Sequence, residues 1–210
     1  MSISVNPSKS FYSAYFIYVS MDIFTKIMVQ FREYRHRSLQ PLGRILAKIG
    51  ITPNIMTTLS LLFGAASIYF LFQNYLLFLI FGILHLLADA LDGVIASIQG
   101  ESIFGKYFDH ATDNIVVLLL IIKIGYFLQD YYAYIVAGLY LLAQLVYIYS
   151  KLNAPVLFGR SVSLIALFFY ISAIVSITSY LPVLVYLFVG VIAVYSLAKQ
   201  LQWAMVRKYT

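Results

Sequence analysis

Six apolar segments, at residues 55–73, 76–97, 103–127, 131–150, 161–180 and 182–199, occupy most of the chain. Each is close to the roughly 20 residues that an α-helix needs to cross the hydrocarbon core of a bilayer. Composition agrees: 62% of the 210 residues are hydrophobic and 10% are charged, where a soluble domain carries about a quarter charged residues. The breaks between segments are short and built from polar or turn-forming residues: Gln73-Asn74, Gln99-Gly100-Glu101-Ser102, Gln129-Asp130, Lys151 to Pro155, and Ser179 to Pro182. Short connections make consecutive helices antiparallel neighbours, so the expected fold is all-α, a six-transmembrane-helix bundle preceded by an N-terminal amphipathic interfacial helix. The corresponding division is an interfacial segment over 1–49, a membrane domain over 50–200 and a short basic tail over 201–210.

Basic residues orient the bundle. Lys9, Lys26, Arg32, Arg35, Arg37, Arg44 and Lys48 precede the first span, Lys106, Lys151 and Arg160 fall in the even-numbered connections, and Lys199, Arg207 and Lys208 follow the last span. With six spans, all but one of the 14 basic residues lie on one side, and only Lys123 falls toward the other, where it snorkels from a helix end. The positive-inside rule makes that side cytoplasmic, with both termini on it. The net charge of +6 thus belongs to a membrane surface facing anionic lipid, and no nucleic-acid partner is expected.

The segment from Met21 to Ile49 places Ile23, Ile27, Met28, Phe31, Leu42, Ile45, Leu46 and Ile49 at spacings near three and four residues among its basic residues. It reads as an interfacial amphipathic helix, with Pro41 as the place where it would break. The first residues lack the pattern of a cleaved secretory signal. No cysteine is present, so a metal would have oxygen or imidazole ligands.

Four of the eight acidic residues, Asp89, Asp92, Asp109 and Asp113, fall within 25 positions at the ends of the second and third spans. An ionised aspartate in the bilayer core costs roughly 3 kcal/mol even on a lenient insertion scale, so four together require a compensating cation. Asp89 and Asp92 are three apart and Asp109 and Asp113 four apart, which puts each pair on one face of its helix. Carboxylate oxygens are hard ligands suited to Mg²⁺ or Mn²⁺, and four negative charges accommodate two divalent ions. Such a pair of ions suits pyrophosphate chemistry, while a proton or cation transporter using the same carboxylates is the alternative. Gly93, Ala96 and Gly105 keep side chains small beside them.

The stretch from Asp89 to Ala96, followed by Gly105, Asp109 and Asp113, resembles the signature of the CDP-alcohol phosphatidyltransferase family, D-x2-D-G-x2-A-R-x8-G-x3-D-x3-D. Gly50-Ile51-Thr52-Pro53-Asn54 and Thr57 are similar to the family's opening of its first span, and the six-span layout extends the likeness over nearly the whole chain. The resemblance implies transfer of a phosphatidyl-type group from a CDP-linked lipid donor to a small polar alcohol, with release of CMP, in a homodimer among membrane lipids. It implies metal binding by Asp89, Asp92, Asp109 and Asp113, with Asp113 also the catalytic base toward the acceptor hydroxyl. Asn54, Thr57, Asp92, Gly93, Ala96 and Gly105 would bind the CDP. Lys151 and Arg160 would meet the acceptor, Arg160 being similar to a basic residue that some members use for a phosphorylated one, although positive-inside placement accounts for both equally well.

The chain departs from the signature at Ser97, which stands where the arginine is expected, and the run to Gly105 is one residue short. Deletion of the arginine, with Ser97 to Phe104 supplying the next eight residues, is the simplest account. A catalytically inactive relative that binds CDP-lipid is the reading this departure supports. Asn114 after Asp113 differs from the Asp-Pro run of glycerophosphate-using relatives, which favours an inositol-phosphate, serine or similar acceptor. His85 and His110 are expected to pack or hydrogen-bond rather than bind metal.

Overall fold

The computed structural model describes residues 23–157, 160–168 and 180–208, and among these every regular element is a helix. In chain order they are α1 (Ile23–Lys48), α2 (Pro53–Phe70), α3 (Tyr75–Gln99), α4 (Ile103–Leu128), α5 (Tyr131–Tyr149), α6 (Arg160–Phe168) and α7 (Leu181–Lys208). The polar breaks seen in the sequence act as caps. Asn74 Oδ1 accepts from the Leu77 N–H at 3.1 Å, Ser102 Oγ from the Gly105 N–H at 2.9 Å and Asp130 Oδ1 from the Tyr132 N–H at 2.9 Å, starting α3, α4 and α5. Thr52 caps α2 and Pro53 takes its first helical position, where a missing N–H costs no intrahelical bond. Gly100 ends α3 at φ +92°, a left-handed conformation that glycine adopts without strain.

Five of these helices, α2, α3, α4, α5 and α7 up to Met205, are long and apolar enough to cross a membrane. The sixth expected span, 161–180, is described only as α6; residues 169–179 lie outside the described residues, as does the chain before Ile23. α7 runs without interruption across the expected boundary at residue 200. α1 likewise runs through Pro41, contrary to the break expected there. α1 packs along α3, and a Cβ on Gly43 would lie 2.5 Å from Val94 Cγ1, so only glycine allows so close an approach. Leu39 and Leu46 pack with Met56, Ala88, Leu91 and Ile95, and this support holds the helix together past the proline.

α2 and α3 form an extended antiparallel pair, α4 lies against α2 and α5, α7 covers α5, and α6 touches α3, α4 and α7. The main core is the seam among these helices, with Phe78, Val116, Leu120, Ile121, Ile124, Leu164, Leu167, Val189 and Ala193 buried in it. Large apolar side chains such as Leu62, Ile83, Leu145 and Val191 face outward. A helix that is apolar on both its packed and its outer face suits surroundings of lipid rather than water.

Candidate active site

Three helix ends meet at one end of the bundle: the first turns of α2 and α4 and the last turns of α3. They enclose a cavity of about 260 Å³ lined by Thr52, Pro53, Asn54 and Thr57 from α2 and its cap, Asp92, Gly93, Ala96 and Gln99 from α3, and Gly100 to Ser102, Gly105 and Asp109 from the turn and α4. The N-terminal ends of α2 and α4 border this space with the positive ends of their helix dipoles, a setting that suits phosphate oxygens.

All six residues expected to bind CDP line the cavity: Asn54, Thr57, Asp92, Gly93, Ala96 and Gly105. Nothing lies within 4 Å of where a Gly93 Cβ would stand, so the glycine keeps that wall open. At Gly105 the constraint is opposite, since a Cβ there would come within 3.0 Å of Ser102 Oγ and 3.2 Å of Asn54 Oδ1. The glycine thereby lets α4 start close against α2. Thr57 Oγ1 donates to Asp92 Oδ2 at 3.0 Å, with the Pro53 carbonyl as a second acceptor at 3.1 Å, and this fixes a buried carboxylate at the cavity wall.

Asp89, Asp92 and Asp109 each offer a carboxylate oxygen within 4.8 Å of the others. Arg160 reaches this group from α6, with Nη2 2.6 Å from Asp89 Oδ1 and Nη1 paired to Asp113 Oδ1. One guanidinium cannot balance four carboxylates, and the two that line the cavity, Asp92 and Asp109, are not among its partners. Asp109 Oδ1 is buried without a hydrogen-bond partner among the described residues. An orphaned carboxylate oxygen beside two others is the donor set a hard divalent cation requires, so the residues fit the metal that the sequence implies. Asp113 is not part of the three-carboxylate group; it stands beside it, on the Arg160 side.

Several lining residues were not among those expected to bind CDP. Thr52, Pro53, Gln99 and the turn residues Gly100 to Ser102 line the cavity, and the three-residue step from Ala96 to Gln99 on one helical face was the available signal. Ser97 turns toward α1 instead: its Oγ donates to the Val94 carbonyl at 2.6 Å and lies 3.0 Å from His36 Nε2. α3 carries Ser97 in its last turn and ends at Gln99. Lys151 lies in an exposed turn after α5 and does not line the cavity. His85 is buried with Nδ1 2.8 Å from the Ser60 carbonyl, and His110 stacks edge-on with Tyr147 and hydrogen-bonds Asn114, so neither joins the carboxylate group. Asn114, read from sequence as a hint about the acceptor, also accepts from the Tyr140 hydroxyl at 2.6 Å, and packing of α4 on α5 accounts for it.

Residues 50–206 match the family model described as CDP-alcohol phosphatidyltransferase. No protein with curated annotation matches the chain.

Proposed function

The chain belongs to the CDP-alcohol phosphatidyltransferase family, and from that premise we propose that it is an active, metal-dependent enzyme that transfers a phosphatidyl-type group from a CDP-linked lipid to a small polar alcohol and releases CMP. The observation that carries this reading is the three-carboxylate group of Asp89, Asp92 and Asp109 at the wall of a cavity closed by two helix N-termini. The cytidine end of the donor lies in the cavity, with Asn54, Thr57, Gly93, Ala96 and Gly105 around it. Asp89, Asp92 and Asp109, with Asp113 beside them as a further ligand, would hold two divalent cations, Mg²⁺ or Mn²⁺, whose charge would neutralise the pyrophosphate and the departing phosphate.

Asp113 accepts the proton of the acceptor hydroxyl as its oxygen attacks the lipid-bearing phosphorus. The bond from that phosphorus to the CMP oxygen breaks, and CMP leaves with the bonding electron pair. Arg160 holds Asp113 and Asp89 in fixed relation through a forked guanidinium, a geometry that a lysine cannot reproduce. Ser97 faces α1, and the residues expected around the CDP line one cavity, which supports the active reading over that of an inactive relative. The site faces the cytoplasm, the protein acts as a homodimer, and α1 lies at the membrane interface.

Release of CMP from a synthetic CDP-lipid, followed in detergent or lipid nanodiscs against a panel of alcohols, tests the reading. Turnover should require added Mg²⁺ or Mn²⁺ and stop on chelation. Turnover indifferent to chelator rejects the metal role, and metal-dependent donor binding with no CMP from any acceptor establishes the inactive relative in its place.

A further inference from the structure

The last two turns of α3 serve two neighbours at once. Gly93, Ala96 and Gly100, three and four residues apart, present one side to the CDP cavity. Val94, Ser97 and Ile98 present the other side to α1, which lies against Val94 and Ile98 at Gly43 and brings His36 Nε2 to 3.0 Å from Ser97 Oγ. The end of α1 is tied to a second wall of the same cavity. The Ile51 N–H donates to the Leu46 carbonyl at 3.1 Å and the Gly50 N–H to the Ala47 carbonyl at 3.2 Å, with Gly50 at φ +87°, a closing turn that favours glycine. Thr52, next in the chain, caps α2 and lines the cavity, and Gln99 Nε2 donates to the Ile51 carbonyl at 3.0 Å, which bridges the two walls. α1 is thus joined both to the start of α2 and to the end of α3. A final helical turn has the fewest bonds of its own, so its position depends on what packs against it.

The outer side of α1 carries two stripes. Arg37, Arg44 and Lys48, seven and four residues apart, are exposed on one, and Tyr34, Leu42, Ile45 and Ile49 are exposed on the other, beside it. No acidic residue falls between Tyr34 and Ile49. Cations beside an apolar stripe match the surface of an anionic bilayer, where apolar side chains enter among the acyl chains and basic ones meet headgroup phosphates. A nucleic acid would match the charge and leave the apolar stripe in water.

We infer that anionic lipid headgroups on the Arg37, Arg44 and Lys48 stripe seat α1 on α3 and thereby tighten the CDP cavity, with His36 as the positioning residue that passes this on through Ser97. The inference rests on reading that cavity as the donor site, and it adds control of donor binding by the charge of the surrounding bilayer. Two walls of the cavity are held from one helix, so a helix drawn to the bilayer surface holds both.

The test is calorimetric binding of CDP, with Mg²⁺ present, to the full chain in nanodiscs of phosphatidylcholine alone or mixed with phosphatidylglycerol. An anionic bilayer repels an anionic nucleotide, so its general electrostatic effect weakens binding, opposite to the effect expected here. CDP should bind the parent protein at least about fivefold more tightly in the anionic discs, and joint Arg37→Gln, Arg44→Gln and Lys48→Gln substitution should cut that gain to below about twofold. His36→Ala should abolish the gain as well, whereas His36→Gln, which keeps a hydrogen-bonding end for Ser97, should retain it. A loss of packing alone would lower the fraction of protein that binds, read as the stoichiometry, and leave the gain intact in the fraction that remains. Equal or weaker binding in the anionic discs, or a gain that survives the triple substitution or His36→Ala, overturns the inference, while CDP binding itself leaves the donor reading standing. Absence of CDP binding in both discs overturns the donor reading, and the lipid control falls with it.

Discussion

Among individual residues, the carboxylates were the most legible, because ionised side chains are too costly within a membrane segment to be there without a partner. Asp109 is the sharpest case, with one oxygen buried and unpartnered among the described residues. Asp109→Asn or Asp92→Asn should reduce turnover to below a tenth, at least about 1.4 kcal/mol of barrier, measured as CMP release with donor and metal saturating. Arg160 was less legible. Its position at the start of an apolar segment fits the positive-inside rule, and only the folded chain brings it between Asp89 and Asp113. Arg160→Gln should lower kcat/KM at least tenfold, because two carboxylates lose their shared cation. If the acceptor carries a phosphate, its KM should also rise by one to two orders of magnitude, roughly 1.4 to 3 kcal/mol. Steady-state kinetics with the acceptor varied separates the two effects.

At the level of whole elements, apolar length and polar breaks located α2 to α5 and the start of α7 to within a few residues, and the capping side chains Asn74, Ser102 and Asp130 are themselves turn signals. α1 was readable as a helix from its periodicity but not as an unbroken one. Pro41 argues for a break locally, and the contacts that override it come from Met56, Ala88, Leu91 and Ile95, residues that no local window includes. The Gly43–Val94 contact makes a direct test. Gly43→Val should force α1 off α3 and lower the thermal midpoint of the purified protein, an overpacking cost of roughly 1–3 kcal/mol. Val94→Ala in the same chain should restore part of it, because the atom that clashes is removed; a midpoint that does not move would mean that α1 does not depend on this contact.

For the molecule as a whole, the distribution of charge gave an orientation that contacts alone do not express. Single cysteines placed at Lys151 and at Gln129, on a chain with no native cysteine, should be labelled from opposite faces of sealed vesicles by a membrane-impermeant maleimide, with Lys151 on the side of the CDP cavity. Labelling of both from one face would refute the six-span orientation. What the sequence could not convey is volume. The cavity of about 260 Å³ is smaller than the roughly 300–1,000 Å³ of pockets that enclose a drug-sized ligand, and a lipid donor with two long chains far exceeds it. On the reading proposed above, the nucleotide end alone would be inspected and the tails would stay dissolved in the bilayer. A transferase built this way would be blind to chain length, saturation and ester or ether linkage, so the hydrophobic character of its products would be inherited unchanged from whichever reaction makes the nucleotide-activated lipid.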